Sequence, residues 1–191
     1  MKTIDQILKI RATVLYVLNA FPDGIDYIKL FKILYFAQRQ HLVEYGRTIF
    51  DDTFQARQFG PVSGFIRKGL KLKELSKSLS PDFELFGNGI NIVINPEHQI
   101  IKSTQQADID ELSISEIKCL DRYITEFKDM KSSDISEIPH EDSAWIKAYE
   151  RSKKDPQMRS MTILEIAEAG GANQNTLAYI KENLKLDQYL N

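Results

Sequence analysis

The stretch Lys29–Phe65, KLFKILYFAQRQHLVEYGRTIFDDTFQARQFGPVSGF, decides the architecture. Its first half is a helix that is apolar on nearly every side, since Leu30 to Ala37 carry one charge, Lys32. A helix with no polar face has nothing to offer solvent and belongs inside the protein. It reads as the central helix of the fold, beginning near Ile25 and ending before Gly46, a residue suited to the left-handed position that closes a helix. From Thr48 the period changes. The segment FQARQF, short and flanked by turn formers, reads as an irregular segment or a short strand. Pro61 reads as the first residue of a helix to about Leu72, with Phe65, Ile66 and Leu70 inward.

On the N-terminal side, Thr3-Ile4-Asp5-Gln6 is a capping-box pattern. Ile7, Leu8, Val14, Leu15, Val17 and Leu18 continue as a helix to about Ala20, followed by a turn at Pro22-Asp23-Gly24. On the other side, Ile90, Ile92 and Ile94 alternate with Asn91, Val93 and Asn95, the period of a strand. Gly87-Asn88-Gly89 reads as a hairpin turn, giving a small antiparallel sheet of two or three strands around residues 83–102. Ser113 and Glu116 form a second capping box, and the helix after it, to about Met130, carries Ile117, Leu120, Ile124 and Phe127 on one face. Residues 132–151 read as two short helices broken at Pro139. After a polar KKDPQ linker, Thr162 with Glu165 caps a short helix ending at Gly170-Gly171, and a last helix runs from about Gln174 to Leu190. The fold class is α+β and mostly α-helical, with helices around a buried central helix and a small sheet. Residues 1–155 read as one domain and 156–191 as a C-terminal helical extension packed on it.

At 191 residues the chain is long enough to bury about 70% of its unfolded surface without help from a metal or disulfide. Its single cysteine, Cys119, forms no internal disulfide, and the N-terminus reads as mature structure without a secretory signal, which points to the cytoplasm. No run reaches the ~18 apolar residues of a membrane span. A net charge of −2 speaks against a strongly basic nucleic-acid binder.

Candidate chemistry is sparse. His41, His98 and His140 lie far apart in sequence and in no metal-ligand spacing. Cys119 sits on the apolar side of its helix, as a small core residue does. Gly87-Asn88-Gly89 precedes no helix, so it is not a phosphate cradle. Asp51-Asp52 and His140-Glu141-Asp142 are explained by helix starts and turns. No cofactor and no metal are expected. Lys29, Lys32 and Arg39 recur at roughly helical spacing, with Arg57 and Arg67 following. They read either as the solvated edge of a buried helix or as a stripe for docking an acidic partner. The end of the chain has the outline of a helix-turn-helix, but its second helix lacks the Arg, Asn and Gln cluster that reads base edges.

The opening stretch, taken residue by residue, resembles the signature of the Panacea antitoxin domain, also called SocA-like. The matching residues are Lys29, Leu30, Lys32, Ile33, Leu34, Tyr35, Phe36, Ala37 and Gln38, then His41 and Leu42. Gly46, Ile49, Phe50 and Asp51 follow, then Ala56, Gly60, Pro61 and Val62. A second landmark, a histidine shortly before a tryptophan, is matched by His140 and Trp145. Gln55 and Arg57 stand where the family usually has Glu and Trp, and Arg39-Gln40 where Gly-Trp is common. The likeness spans roughly residues 5 to 150. It implies an antitoxin encoded beside a toxin in bacterial, phage or prophage genomes, neutralising it by direct binding; in one branch of the family the toxin is delivered to a protease. The large apolar motif residues Leu34, Tyr35, Phe36, Pro61 and Trp145 read as fold-specifying. Partner choice then falls to the β-hairpin, the C-terminal helices and the basic residues Lys29, Lys32, Arg39, Arg57 and Arg67. Rival readings are a DNA-binding autoregulator acting through the last two helices and a hydrolase using His41, Asp51 and His140. The latter requires those three residues to converge in one pocket.

Overall fold

The computed structural model describes residues 2–75, 78–94 and 99–190, with the side chains of all of these except 136, 139, 140 and 187–190. At its centre is helix α2, Tyr27–Tyr45, preceded by α1, Ile4–Asn19. The helix starts two residues later than its apolar pattern predicts. Ile25 is instead held in backbone hydrogen bonds with Ile101, and the Asp26 carboxylate caps the helix by accepting from the Lys29 amide at 3.0 Å. At the other end Gly46 has φ +66° and donates its amide to the Leu42 carbonyl, the left-handed closure the sequence predicts.

Leu30, Ile33, Leu34, Tyr35 and Ala37 are fully buried, and Phe36 nearly so. Neighbours pack on α2 from all sides: α5 (Ile114–Phe127), α6 (Ser132–Glu137), α8 (Ile163–Ala169) and the second strand of a hairpin. Phe36 meets Tyr123 and Phe127 of α5 at ring-centre distances of 5.6 and 5.7 Å, and Tyr35 meets Phe54 edge-on at 5.3 Å. Burial of each such side chain contributes about 1.5–3 kcal/mol, so this helix organises the core.

The hairpin is β1 (Phe54–Arg57) and β2 (Gly60–Ser63), antiparallel, with Ala56 opposite Pro61 and Arg57 opposite Gly60. Here the structure corrects the sequence reading, because Pro61 lies in a strand and starts no helix. Gln58 and Phe59 reverse the chain first, and Gly60, at φ +104°, completes the turn. Each strand of a two-stranded ribbon is an edge strand, where a proline without an N–H is tolerated. Helix α3, Gly64–Glu74, starts three residues later. Its cap comes from outside: the Asp52 carboxylate accepts from the amides of Phe65 and Ile66 and from the Ser63 hydroxyl.

A second correction concerns Gly87-Asn88-Gly89. Residues 81–87 are not a strand but helix α4, Pro81–Gly87, with proline in the first turn and Phe83 and Phe86 turned inward. Phe65 stacks on Phe83 at 4.8 Å, and Gly69 of α3 lets the Phe86 ring come so close that a Cβ there would stand 2.5 Å from it. The three residues therefore end a helix and lead into β3, Ile90–Ile94, which pairs with β4, Gln99–Ser103. The connection between these strands, with His98, lies outside the described residues. Ile90 is buried but Ile94 is exposed, so only one end of the ribbon reaches the core.

Among the described residues, the sheets are these two antiparallel ribbons, and the rest is mostly helical, an α+β fold. The break near Pro139 is a 3-10 turn, Ile138–Glu141, between α6 and α7, Ser143–Lys154. Helix α8, opened by the Thr162–Glu165 capping box, packs on α2 and α7, and α9, Gln174–Leu190, follows. No helix among the described residues is long and apolar enough to cross a membrane.

Candidate partner-binding site

The first turns of α2, the β1–β2 hairpin, α3 and the start of β4 enclose a cleft of about 270 Å³. Tyr27, Ile28, Phe31, Phe59, Pro61 and Val62 give it apolar walls, and Lys32, Arg57, Arg67, Lys71 and Glu74 give it charge. Three of the five basic residues singled out in the sequence, Lys32, Arg57 and Arg67, thus meet in one place.

Lys32 is not on a solvated edge. It is 1% exposed, and its ammonium donates to the Phe59 carbonyl at the hairpin turn. Burial alone pushes its pKa down to about 8. Arg57 donates from Nη2 to the Gln55 side chain at 3.1 Å, while its Nε is buried without a hydrogen-bond partner among the described residues. Burial, and then the guanidinium groups of Arg67 and Arg159, lower its pKa. Lys71 and Glu74 form an ion pair at 2.8 Å, and Glu74 also accepts from Tyr27 and Gln99. Lys71, Glu74 and Phe59 were not picked out from sequence. The available signal was the spacing of Arg67, Lys71 and Glu74, which puts them on one face of a helix.

Lys29 and Arg39 are elsewhere. Lys29 donates to the Lys128 carbonyl at 3.1 Å and stands 5.8 Å from the Phe21 ring centre. Arg39 pairs with Asp142 at 2.7 Å and lies over the Phe36 ring. That Asp142 is a buried junction. One oxygen accepts from Arg39 and from the Tyr35 hydroxyl at 2.9 Å; the other caps α7 by accepting from the amides of Ala144 and Trp145. Burial, then the Asp142 charge, hold the Tyr35 phenol well above its usual pKa. Trp145, 8% exposed, donates its indole N–H to the Arg57 carbonyl at 2.9 Å and stacks on Tyr149. The two separated motifs therefore meet: the tryptophan holds the strand whose side chain lines the cleft.

Other motif residues are placed as follows. Leu30, Leu34 and Phe50 are core, and Gly60, Pro61 and Val62 form the return strand of the hairpin. Gln38, buried, donates to the Phe50 carbonyl and accepts from the amides of Ile49 and Phe50, which fixes the turn after α2. His41, buried, hydrogen-bonds the Arg47 carbonyl at 2.8 Å and the Ser115 hydroxyl at 3.1 Å. Asp51 accepts from Gln6 at 2.7 Å and faces Lys2. His41 and Asp51 are tied into different parts of the fold, α5 and the start of α1, and share no hydrogen-bond partner. The His140 side chain lies outside the described residues. Cys119 is buried, and burial foremost pushes its thiol up to about 11, far from a thiolate at neutral pH. Among the described residues no three His, Cys, Asp or Glu side chains converge where they could hold a metal ion.

The fold is mostly helical, with a charged recess beside an exposed hairpin tip. The family model for SocA-like antitoxins, the Panacea domain, matches residues 30–146. The chain belongs to this family, and membership implies an antitoxin role; the family is typically non-enzymatic. The match takes in α2 from Leu30 onward, the hairpin, the Asp142 junction and Trp145. No curated protein and no solved structure matches the chain.

Proposed function

We propose that this chain silences a co-encoded toxin by binding it directly, one antitoxin to one toxin and without turnover, in the cytoplasm. The observation that carries the reading is the family match across residues 30–146. The way the matched residues are used supports it, because Tyr35, Gln38, His41, Asp142 and Trp145 are engaged in holding the fold together, which leaves recognition to the surface. We take residues 1–155 as the antitoxin domain and 156–191 as a C-terminal helical extension packed on it; the contacts of α8 with α2 and α7 support that packing. The test is co-expression with the product of the neighbouring gene, with the dose of antitoxin titrated against growth and the complex purified. Rescue that saturates near one antitoxin per toxin, with co-purification of the two, is the expected result. Rescue far below that ratio that disappears in protease-deficient cells replaces this reading with delivery of the toxin to a protease. Rescue at such a ratio that persists there and is abolished by His41→Ala or Asp51→Ala in a folded protein replaces it with an enzyme.

A further inference from the structure

We propose that the cleft between α2, the β1–β2 hairpin and α3 receives an acidic segment of the toxin, a carboxylate entering toward Lys32 and Arg57 while its apolar neighbours cover Phe59. This deepens the direct-binding reading and rests on it.

The argument begins with charge. Of the four cations lining the cleft, Lys71 is matched by Glu74. Lys32, Arg57 and Arg67 have no carboxylate partner among the described residues, although Lys32 is buried and Arg57 lies close enough to Arg67 and Arg159 to feel both. Like charges gathered in a partly desolvated recess repel one another, and the arrangement is relieved by an anion brought in from outside. The buried Arg57 Nε is a donor awaiting an acceptor, and a buried donor left unmatched is costly. A guanidinium is suited to a carboxylate because its N–H groups match two oxygens at once.

Size and surroundings narrow the anion's source. At about 270 Å³ the recess has room for an acidic side chain. Its walls are apolar, and Phe59 at the hairpin tip is 59% exposed, a large aromatic without cover beside a charged recess. An aromatic anchor next to a desolvated charge is the composition of an interface hot spot. A chain of net charge −2 is poorly placed to attract an extended polyanion such as nucleic acid.

The experiment compares the full-length wild type with Arg67→Glu and with Arg57→Glu/Arg67→Glu. Lys118→Glu/Lys147→Glu, on exposed positions of α5 and α7, matches the double variant in net charge. Each is checked by thermal unfolding, then measured for rescue and for affinity to the co-expressed toxin. Arg67 is exposed, so its single reversal tests the inference even if the double variant unfolds. We expect Arg67→Glu to fold normally and bind roughly a hundredfold or more weaker, since like charge then faces like charge. The Lys118→Glu/Lys147→Glu control should bind as wild type. Each Asp and Glu of the toxin is then changed singly to Lys, and at least one change should restore binding to Arg67→Glu. If the wild type itself neither binds nor rescues, direct binding fails, and this inference with it. If the wild type binds and Arg67→Glu binds equally well, if the control pair loses as much, or if no Lys change in the toxin restores binding, the cleft is not the docking site. Thermal stabilisation of the wild type by free ATP that Arg67→Glu abolishes, with toxin binding intact, likewise overturns it in favour of a small anionic ligand.

Discussion

Replacing Lys32 by methionine should stabilise the protein at neutral pH. Methionine keeps the length and flexibility of the lysine stem and removes the charge. Burial lowers the Lys32 pKa from 10.5 to about 8. At ~1.36 kcal/mol per unit this corresponds to about 3 kcal/mol by which the fold disfavours the ammonium. Against it stands the lost hydrogen bond to the Phe59 carbonyl, about 1 kcal/mol. The net gain at pH 7 is then about 1–3 kcal/mol, or roughly 2–10 °C in Tm for a chain of this size. The pH dependence supplies the sharper test. Below about pH 8 the lysine is protonated in both the folded and the unfolded chain, and the penalty is constant. Between about 8 and 10.5 the unfolded chain keeps a proton the folded one has released, so the contribution of Lys32 to wild-type stability rises with pH, and above that range this rise is complete. Lys32→Met lacks this rise, while all other groups titrate alike in both proteins. Urea unfolding of the two at pH 7 and pH 9.5 should therefore show their difference narrowing by about 2 kcal/mol. If Lys32→Met is destabilised at pH 7 and the difference is the same at both pH values, the ammonium is not desolvated and the electrostatic account of the cleft is wrong. A variant that gains stability while losing affinity for the toxin would identify Lys32 as a residue kept for binding at a cost to the fold.

Trp145→Ala should cost about 3–5 kcal/mol in urea unfolding, followed by circular dichroism because Trp145 is the only tryptophan; a loss under about 1 kcal/mol would remove it from the core. Asp142→Asn keeps the shape of the α7 cap but leaves Arg39 without its counter-charge and weakens the bond to Tyr35, so a loss of about 2–4 kcal/mol in the same assay is expected. Gly46→Ala forces a side chain into φ +66° and sets a Cβ 2.6 Å from the Tyr179 ring. The expected cost is at least ~1 kcal/mol, with faster amide exchange in α9 as the packing on that ring is disturbed.

The sequence by itself determined the central helix, its glycine closure, the three capping boxes and the α+β class, because these depend on local patterns: period, cap chemistry, backbone preference. The all-round apolarity of Leu30 to Ala37 left that helix nowhere to go but the interior. Sequence misjudged Pro61 and Gly87-Asn88-Gly89, where one local signal fits two structures. Proline suits a first helical turn and an edge strand equally, and Gln58-Phe59 with Gly60, together with the Asp52 cap twelve residues before Gly64, settled the choice. Gly87 to Gly89 follow a helix because Phe83 and Phe86 pack against α3, a contact no local pattern announces. The cleft was out of reach for the same reason. Lys32, Arg57 and Arg67 are separated by 25 and 10 residues, and only the folding of the hairpin over α2 brings them together. Whether Lys32 is a solvated edge or a buried charge depends on where the Phe59 carbonyl lies, which tertiary packing alone decides.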